Sequence, residues 1–264
     1  MKKLSYLLIL SGLVSVSAIA ADAPASPHTF AGNIGVTTDY IFRGITQTQH
    51  KPAISGGLDY THSSGLYAGT WLSNQKWVQT GGTAAIGDAA YKDNSSLEVD
   101  LYAGYRGTAS DFGYDVGLIR YYYPGDKVAG AVTPDTTEVY VAGTWKMLTL
   151  KYSHVVSDYF IGWGSVAPGS EYKTSGSNYL ELNLSQPLSN GWGILAHIGH
   201  QEVERDDLNF ASYSDWKIGV TKDVGFGTVT AAYSDTDADN AAYGNWDGKN
   251  VGKGVLALSF SKSF

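Results

Sequence analysis

From residue 29 onward the chain alternates apolar and polar side chains over stretch after stretch. The clearest case sets Leu97, Val99, Leu101, Ala103 and Tyr105 against Glu98, Asp100, Tyr102 and Arg106. A period of two places the two sets on opposite faces of a strand, whereas a helix would need apolar positions three and four apart. About twelve segments carry this pattern. The first, roughly 29–43, sets Phe30, Ile34, Val36, Tyr40 and Phe42 against Asn33, Thr37, Asp39 and Arg43. The second, about 50–61, sets Ile54, Leu58 and Tyr60 against Ser55, Gly57 and Asp59. The third, about 65–74, reads either way, with Leu66 and Leu72 or Tyr67 and Trp71 on the apolar face.

Phe112, Tyr114, Val116 and Leu118 oppose Asp115 and Gly117 in the fifth segment. Arg120 lands there on the apolar parity, so it is expected to snorkel or to follow a bulge. Later segments repeat the scheme, with Glu138, Lys151, Glu181, His197, Asp215 and Lys217 on the polar parity. The last, 252–264, sets Leu256, Leu258, Phe260 and Phe264 against Ala257, Ser259, Ser261 and Ser263.

Connection lengths sharpen this picture. Short turns fall near 62–64, 107–110, 146–147, 188–191 and 223–227; longer connections fall near 44–49, 75–94, 124–136, 158–176, 202–212 and 236–251. The two kinds alternate, as they do in transmembrane barrels with tight turns on one side and loops on the other. The expected fold is all-β: a single antiparallel up-and-down transmembrane β-barrel of about twelve strands. Each segment is long enough to cross a bilayer as a tilted strand. Hydrocarbon leaves no partner for an open sheet edge, so the first and last segments should pair. Tyr60, Trp71, Tyr105, Trp145, Trp192 and Trp216 lie near segment ends, where aromatic girdles belong. The long loops read as polar; 75–94 and 158–176 are long enough to fold inward or to bind a partner.

The first twenty residues follow a different rule. Lys2 and Lys3 precede a mostly apolar stretch from Leu4 to Val16, and Ala18-Ile19-Ala20 forms a small-x-small cleavage site. This is the pattern of a secretory signal peptide, leaving 21–264 as the barrel. Its removal moves the formal charge from −7 to −9, a balance unsuited to nucleic acid, whose phosphates need Lys and Arg. With no cysteine in the chain, disulfides and thiolate metal sites are excluded.

On this parity the polar face lines the interior. The pore-lining candidates are Asp39, Arg43, Asp59, Glu98, Asp100, Arg106, Asp115, Glu138, Lys151, Glu181, His197, Asp215 and Lys217. Mixed charge of this kind suits a narrow channel for small polar or ionic solutes, with an acidic excess mildly favouring cations. The same groups could instead cross-link a closed structural or adhesive barrel. An outer-membrane hydrolase is a third reading, for which His154 with Ser153 or Ser157, and His197 or His200 with nearby strand polars, are the candidates. None sits in a nucleophile-elbow pattern. Asp235, Asp237 and Asp239 invite a calcium loop, but the glycine and distal glutamate of that motif are missing. No metal ligand set and no cofactor motif is expected.

The terminal phenylalanine, with Leu256, Leu258 and Phe260 on its parity, resembles the signal read by the outer-membrane barrel-assembly machinery. Lys262 departs from that pattern. Asn33-Ile34-Gly35-Val36-Thr37-Thr38-Asp39-Tyr40-Ile41-Phe42-Arg43-Gly44-Ile45 resembles the opening block of the proteobacterial TorF family of porins. Pro52 to Tyr60, Gly65 to Trp71, Tyr121 to Gly125 and Tyr213 to Lys217 are similar to its later blocks. The resemblance implies the cell outer membrane, with lipid and lipopolysaccharide as surroundings, and a channel. It assigns no catalytic or binding residue.

Overall fold

The computed structural model describes residues 26–80, 95–244 and 248–264; the expected signal peptide lies outside them. Fourteen strands occur in the described residues: β1 (His28–Thr37), β2 (Ile41–Phe42), β3 (Ile45–Thr46), β4 (Ala53–His62), β5 (Leu66–Asn74), β6 (Leu97–Ala109), β7 (Phe112–Tyr122), β8 (Thr136–Trp145), β9 (Leu148–Val155), β10 (Asn178–Pro187), β11 (Trp192–Glu202), β12 (Tyr213–Asp223), β13 (Thr228–Thr236) and β14 (Val255–Ser263). Twelve of them form a closed barrel in which each strand pairs antiparallel with its chain neighbours. The joint predicted between first and last is present: β1 pairs with β14 from Asn33↔Ser263 to Thr37↔Ser259, and with β4 along its whole length. No wall strand is left with a free side.

One end of the barrel carries only short turns, at 63–65, 110–111, 146–147, 188–191 and 224–227. The other carries 38–52, 75–96, 123–135, 156–177, 203–212 and 237–254. We call these the turn end and the loop end.

The apolar parity faces outward. Leu58, Leu101, Val141, Leu150, Ile198, Ile218 and Leu256 each expose half or more of their surface, while Glu98, Asp115, Glu138 and Asp215 are buried. A water-soluble domain has the reverse arrangement; an apolar exterior around a polar interior is what a bilayer requires. The third segment resolves the same way, with Leu66 outside and Tyr67 inside. Trp71 follows Tyr67 inward and packs edge-on against Tyr40, so it does not belong to an aromatic girdle. Trp145, Trp192, Trp216 and Tyr105 do face outward near strand ends. Arg120 stays in register without a bulge and reaches Thr137 and Asp135 near the loop end, so it snorkels. Lys262 is exposed on the outer face at the turn end.

Two expectations fail, for related reasons. The first segment was expected to run as one strand to residue 43, but β1 stops at Thr37 and the chain turns into the barrel. Ile41-Phe42 and Ile45-Thr46 then form a tight hairpin around Arg43 (φ 47°) and Gly44 (φ 77°). Positive φ at both central residues is the type I′ arrangement that matches strand twist. The long loops are also less polar than they read. Their Trp77, Val78, Phe160, Trp163, Leu208, Tyr243 and Val251 pack with Ile45, Tyr121 and Tyr213 into an apolar core inside the loop end. The segments 75–94 and 158–176 thus contribute inward residues, though 81–94 lies outside the described residues.

Candidate functional site

The barrel interior gathers the predicted polar residues. Asp59, Glu98, Asp100, Arg106, Asp115, Glu138, Lys151, Glu181, His197, Asp215 and Lys217 all lie on the inward parity of wall strands. Asp39 and Arg43 also lie inside, but on the inward segment 38–52 rather than on the wall. Sequence parity cannot see this, because a hairpin that continues the alternation of β1 looks like more of β1.

The hairpin crosses the lumen. From its tip, Arg43 forms a forked ion pair with Glu138 on β8 (3.0 and 2.7 Å) and donates to Gln201 Oε1 on β11 (2.8 Å). Its guanidinium also lies over the rings of Tyr179 and Phe42, at 4.3 and 4.8 Å. Planar geometry lets Arg fill both roles at once, which Lys could not do. Burial works against the Arg43 charge, but Glu138 and the surrounding phenols outweigh it and leave its pKa above the ordinary value. Gly44 presses on β12 and β13: a Cβ there would meet Thr236 Cγ2 and the side chain of Asp215. Tyr40 donates to Glu98 Oε1 on β6 (2.7 Å). Burial first, then the negative charge of Glu98 and Asp100, holds the Tyr40 phenol well above its usual range, so it remains a donor.

The base of this segment is tied by Asp39, which accepts from Thr46 and from Thr48 Oγ1 (3.1 Å) and faces His50 Nδ1 at 2.9 Å. Asp39 is therefore a tether for the hairpin rather than an open pore-wall charge.

Towards the turn end, tyrosines organise the wall. Tyr67 on β5 donates to Asp115 Oδ1 on β7 (2.6 Å) and is bonded to the Tyr140 hydroxyl. Tyr102 donates to Asp59 Oδ1 (2.6 Å), and nearer the loop end Tyr179 donates to Asp215 Oδ2 (2.7 Å). Each ring lies over a glycine of an adjacent strand: Tyr67 over Gly104, Tyr102 over Gly69, Tyr140 over Gly117 and Tyr179 over Gly199. A Cβ at any of these glycines would strike the ring, so the rings lie flat along the wall instead of projecting into the lumen. Tyr102 and Tyr140 share the parity of Glu98 and Glu138, which is the signal that could have named them as interior residues.

Cations complete the network. Arg106 stands over Tyr67 (4.9 Å) and is in register with Asp115. Lys151 stands over Tyr140 (4.5 Å) and faces Glu181 at 3.9 Å. His197 lies between Asp215 (3.0 Å), Tyr179 (2.9 Å) and Asn183 (2.8 Å); Lys217 is its register neighbour on β12.

The hydrolase candidates fare differently. Ser153 and His154 point to opposite faces, and His197 has no Ser among its partners. His200 Nδ1 reaches Ser214 Oγ at 3.1 Å on the outer face. Among the described residues no bond orients its other ring nitrogen, which a general base needs. Asp237 and Asp239 accept backbone N–H groups of Ser214 and Ala241, and among the described residues no cluster of three acidic or His ligands could hold a metal ion.

Residues 21–264 match the model of a family described as a bacterial protein of unknown function, Gcw_chp, and the chain belongs to that family. No curated protein matches it. Among solved structures, the fold is similar to a KdgM porin, at 7% identity over 89% of this chain and 99% of the other, TM-score 0.50. It is also similar to the COG4313 outer membrane channel from Pseudomonas putida F1, at 12% identity over 92% and 97%, TM-score 0.50. At such identities the likeness is one of fold.

Proposed function

We propose that this member of the Gcw_chp family is an outer-membrane channel for small polar or ionic solutes, narrowed at its loop end by the inward hairpin. The observation that carries the reading is the inversion of polarity: a mainly apolar exterior, with its charges towards the strand ends, surrounds a wall bearing ionisable groups on most strands. A bilayer explains the outside, and an aqueous interior explains the inside. The family match begins at residue 21, directly after the expected cleavage site, which supports export with residues 1–20 removed. The outward row Leu256, Leu258, Phe260 and Phe264 supports insertion by the barrel-assembly machinery. The finer assignment, to the TorF porins, rests on the blocks from Asn33 to Ile45 and from Gly65 to Trp71.

The pore-lining set in this reading is Asp59, Arg106, Asp115, Lys151, Glu181, His197 and Lys217 below the hairpin, with Arg43, Glu98, Asp100 and Glu138 at its level. One observation favours a closed structural barrel instead: Arg43 bridges the lumen to Glu138 and Gln201. Single-channel recording of the refolded mature chain in a planar bilayer separates the two. The channel reading expects discrete steps with mild cation preference in the wild type and larger steps in Arg43→Ala, whose hairpin has lost its anchor. Silence from both proteins, each shown to be folded, would leave the structural reading in possession.

A further inference from the structure

The inner wall is not uniform around its circumference. Every wall strand from β6 to β12 turns at least one ionisable side chain inward: Glu98, Asp115, Glu138, Lys151, Glu181, His197 and Asp215 in strand order. The adjoining strands β13, β14 and β1 turn in none. Their inward positions hold Thr228, Thr230, Ala232, Ser234 and Thr236; Val255, Ala257, Ser259, Ser261 and Ser263; and Thr29, Ala31, Asn33, Gly35 and Thr37.

The two sectors differ in bulk as well as charge. At the turn end, Tyr67, Tyr102, Arg106, Tyr140 and Lys151 fill one side, whereas the other presents hydroxyls on one-carbon stems. Register ties the small residues into continuous rows: Thr37, Ser259 and Thr230 lie side by side, and Gly35, Ser261 and Thr228 form the next row. Ser259, Ser261 and Ser263 are only half-buried, so their hydroxyls are open to water and solute, while Thr230 Oγ1 beside them is buried with no hydrogen-bond partner among the described residues. On the charged side Asp100 Oδ1 and Ser153 Oγ also lack a partner among them, but the tyrosine hydroxyls there are taken up by carboxylates.

From this asymmetry we infer that solute moves along the β13–β14–β1 sector, a hydroxyl-lined track that takes small neutral, hydroxylated solutes. The inference rests on the channel reading and deepens it. Side-chain hydroxyls both donate and accept, so they can exchange bonds with a solute hydroxyl or with its water. The track itself carries no fixed charge, so any ion preference comes from the acidic excess of the opposite wall. At its loop end the track is capped by the hairpin, whose Gly44 packs against Thr236.

The chain has no cysteine, which permits a direct test. Ser261→Cys on the track and Thr149→Cys on the charged side are reconstituted in liposomes and treated with a bulky uncharged thiol reagent. Labelling is read by mass, and permeation by liposome swelling in a neutral pentose, its acid and its amino analogue. Wild type and Arg43→Ala are run alongside. The expected result is full labelling of Ser261→Cys with a severalfold loss of pentose permeation, little loss from labelled Thr149→Cys, and faster entry of the neutral sugar than of either charged analogue. Permeation that is blocked from Thr149→Cys but not from Ser261→Cys overturns the track. So does faster entry of a charged analogue. Folded protein that admits nothing in wild type or Arg43→Ala overturns the channel reading itself, and is recognised by labelling that proceeds without any permeation.

Discussion

The two ends of this barrel are built on opposite principles. At the turn end the interior is polar: tyrosine hydroxyls, carboxylates and cations bond to one another along the wall, and the connections are too short to enter. At the loop end an apolar core packs around the buried Arg43–Glu138 pair. Trp77, Phe160, Trp163, Tyr213 and Tyr243 pack together, with Trp163 edge-on to Phe210 and Tyr243 at 6.0 and 6.2 Å. The hairpin joins this core through Ile45 and through Phe42, whose ring meets Tyr121 at 5.4 Å. A hydrocarbon exterior supports the strands at both ends, but only the loop end also gains from burying apolar surface away from water. Stability of the loops and stability of the wall should therefore be separable.

The strongest way to break that comparison is Trp163→Ala. Removing a fully buried indole should cost the loop core about 3–5 kcal/mol. Loops 156–177 and 203–212 should become protease-sensitive while the wall keeps its heat resistance on denaturing gels. A wall that melts together with the loops would show that the two ends are one cooperative unit. Next in size is Gly104→Val at the turn end, which drives a side chain into the Tyr67 ring. Overpacking of this kind costs about 1–3 kcal/mol. It should lower the unfolding midpoint of the wall in urea without exposing the loops. The smallest effect is expected from Lys151→Met. It deletes a lumen cation and leaves Glu181 less compensated, so the reversal potential in a salt gradient should shift towards cations at nearly unchanged conductance. An unchanged reversal potential would show that the Lys151 charge is not felt along the conducting path.

Much of the wall could be read from the chain because a barrel in a bilayer enforces alternation at every strand. Strand β7 shows why: Phe112, Val116 and Leu118 are exposed, while Asp115, Ile119 and Tyr121 are buried. Ile119 and Tyr121 already depart from a polar interior, since they lie where the loop core begins. The hairpin was hidden by the same regularity. Ile41-Phe42-Arg43-Gly44-Ile45-Thr46 holds no Asn-Gly or Asp-Gly turn, and an Arg at positive φ is disfavoured locally. Its forked pair with Glu138 offsets that cost, and Glu138 is 95 positions away. The loop core escaped detection for a similar reason. Trp77-Val78, Tyr159-Phe160-Ile161, Trp163 and Ala241-Ala242-Tyr243 form short apolar groups in separate loops, with no period to betray them.

The inward turn at Thr38 has a consequence for how the cylinder is sealed. Of the twelve joints around it, that between β1 and β14 has the shortest ladder, five residue pairs against ten between β1 and β4. A reciprocal pair of backbone bonds between Gly32 and Phe264, and one from the Thr38 N–H to the Leu258 carbonyl, extend it at either end. Beyond them β14 continues through Val255–Ala257 beside β13 alone. By sending residues 38–52 indoors, the chain has shortened the one joint that links its two extremities. The same segment then returns to brace that joint from within, where Thr46 bonds to Val251 and His50 to Asn250. The stopper and the clasp of this vessel are a single piece of chain.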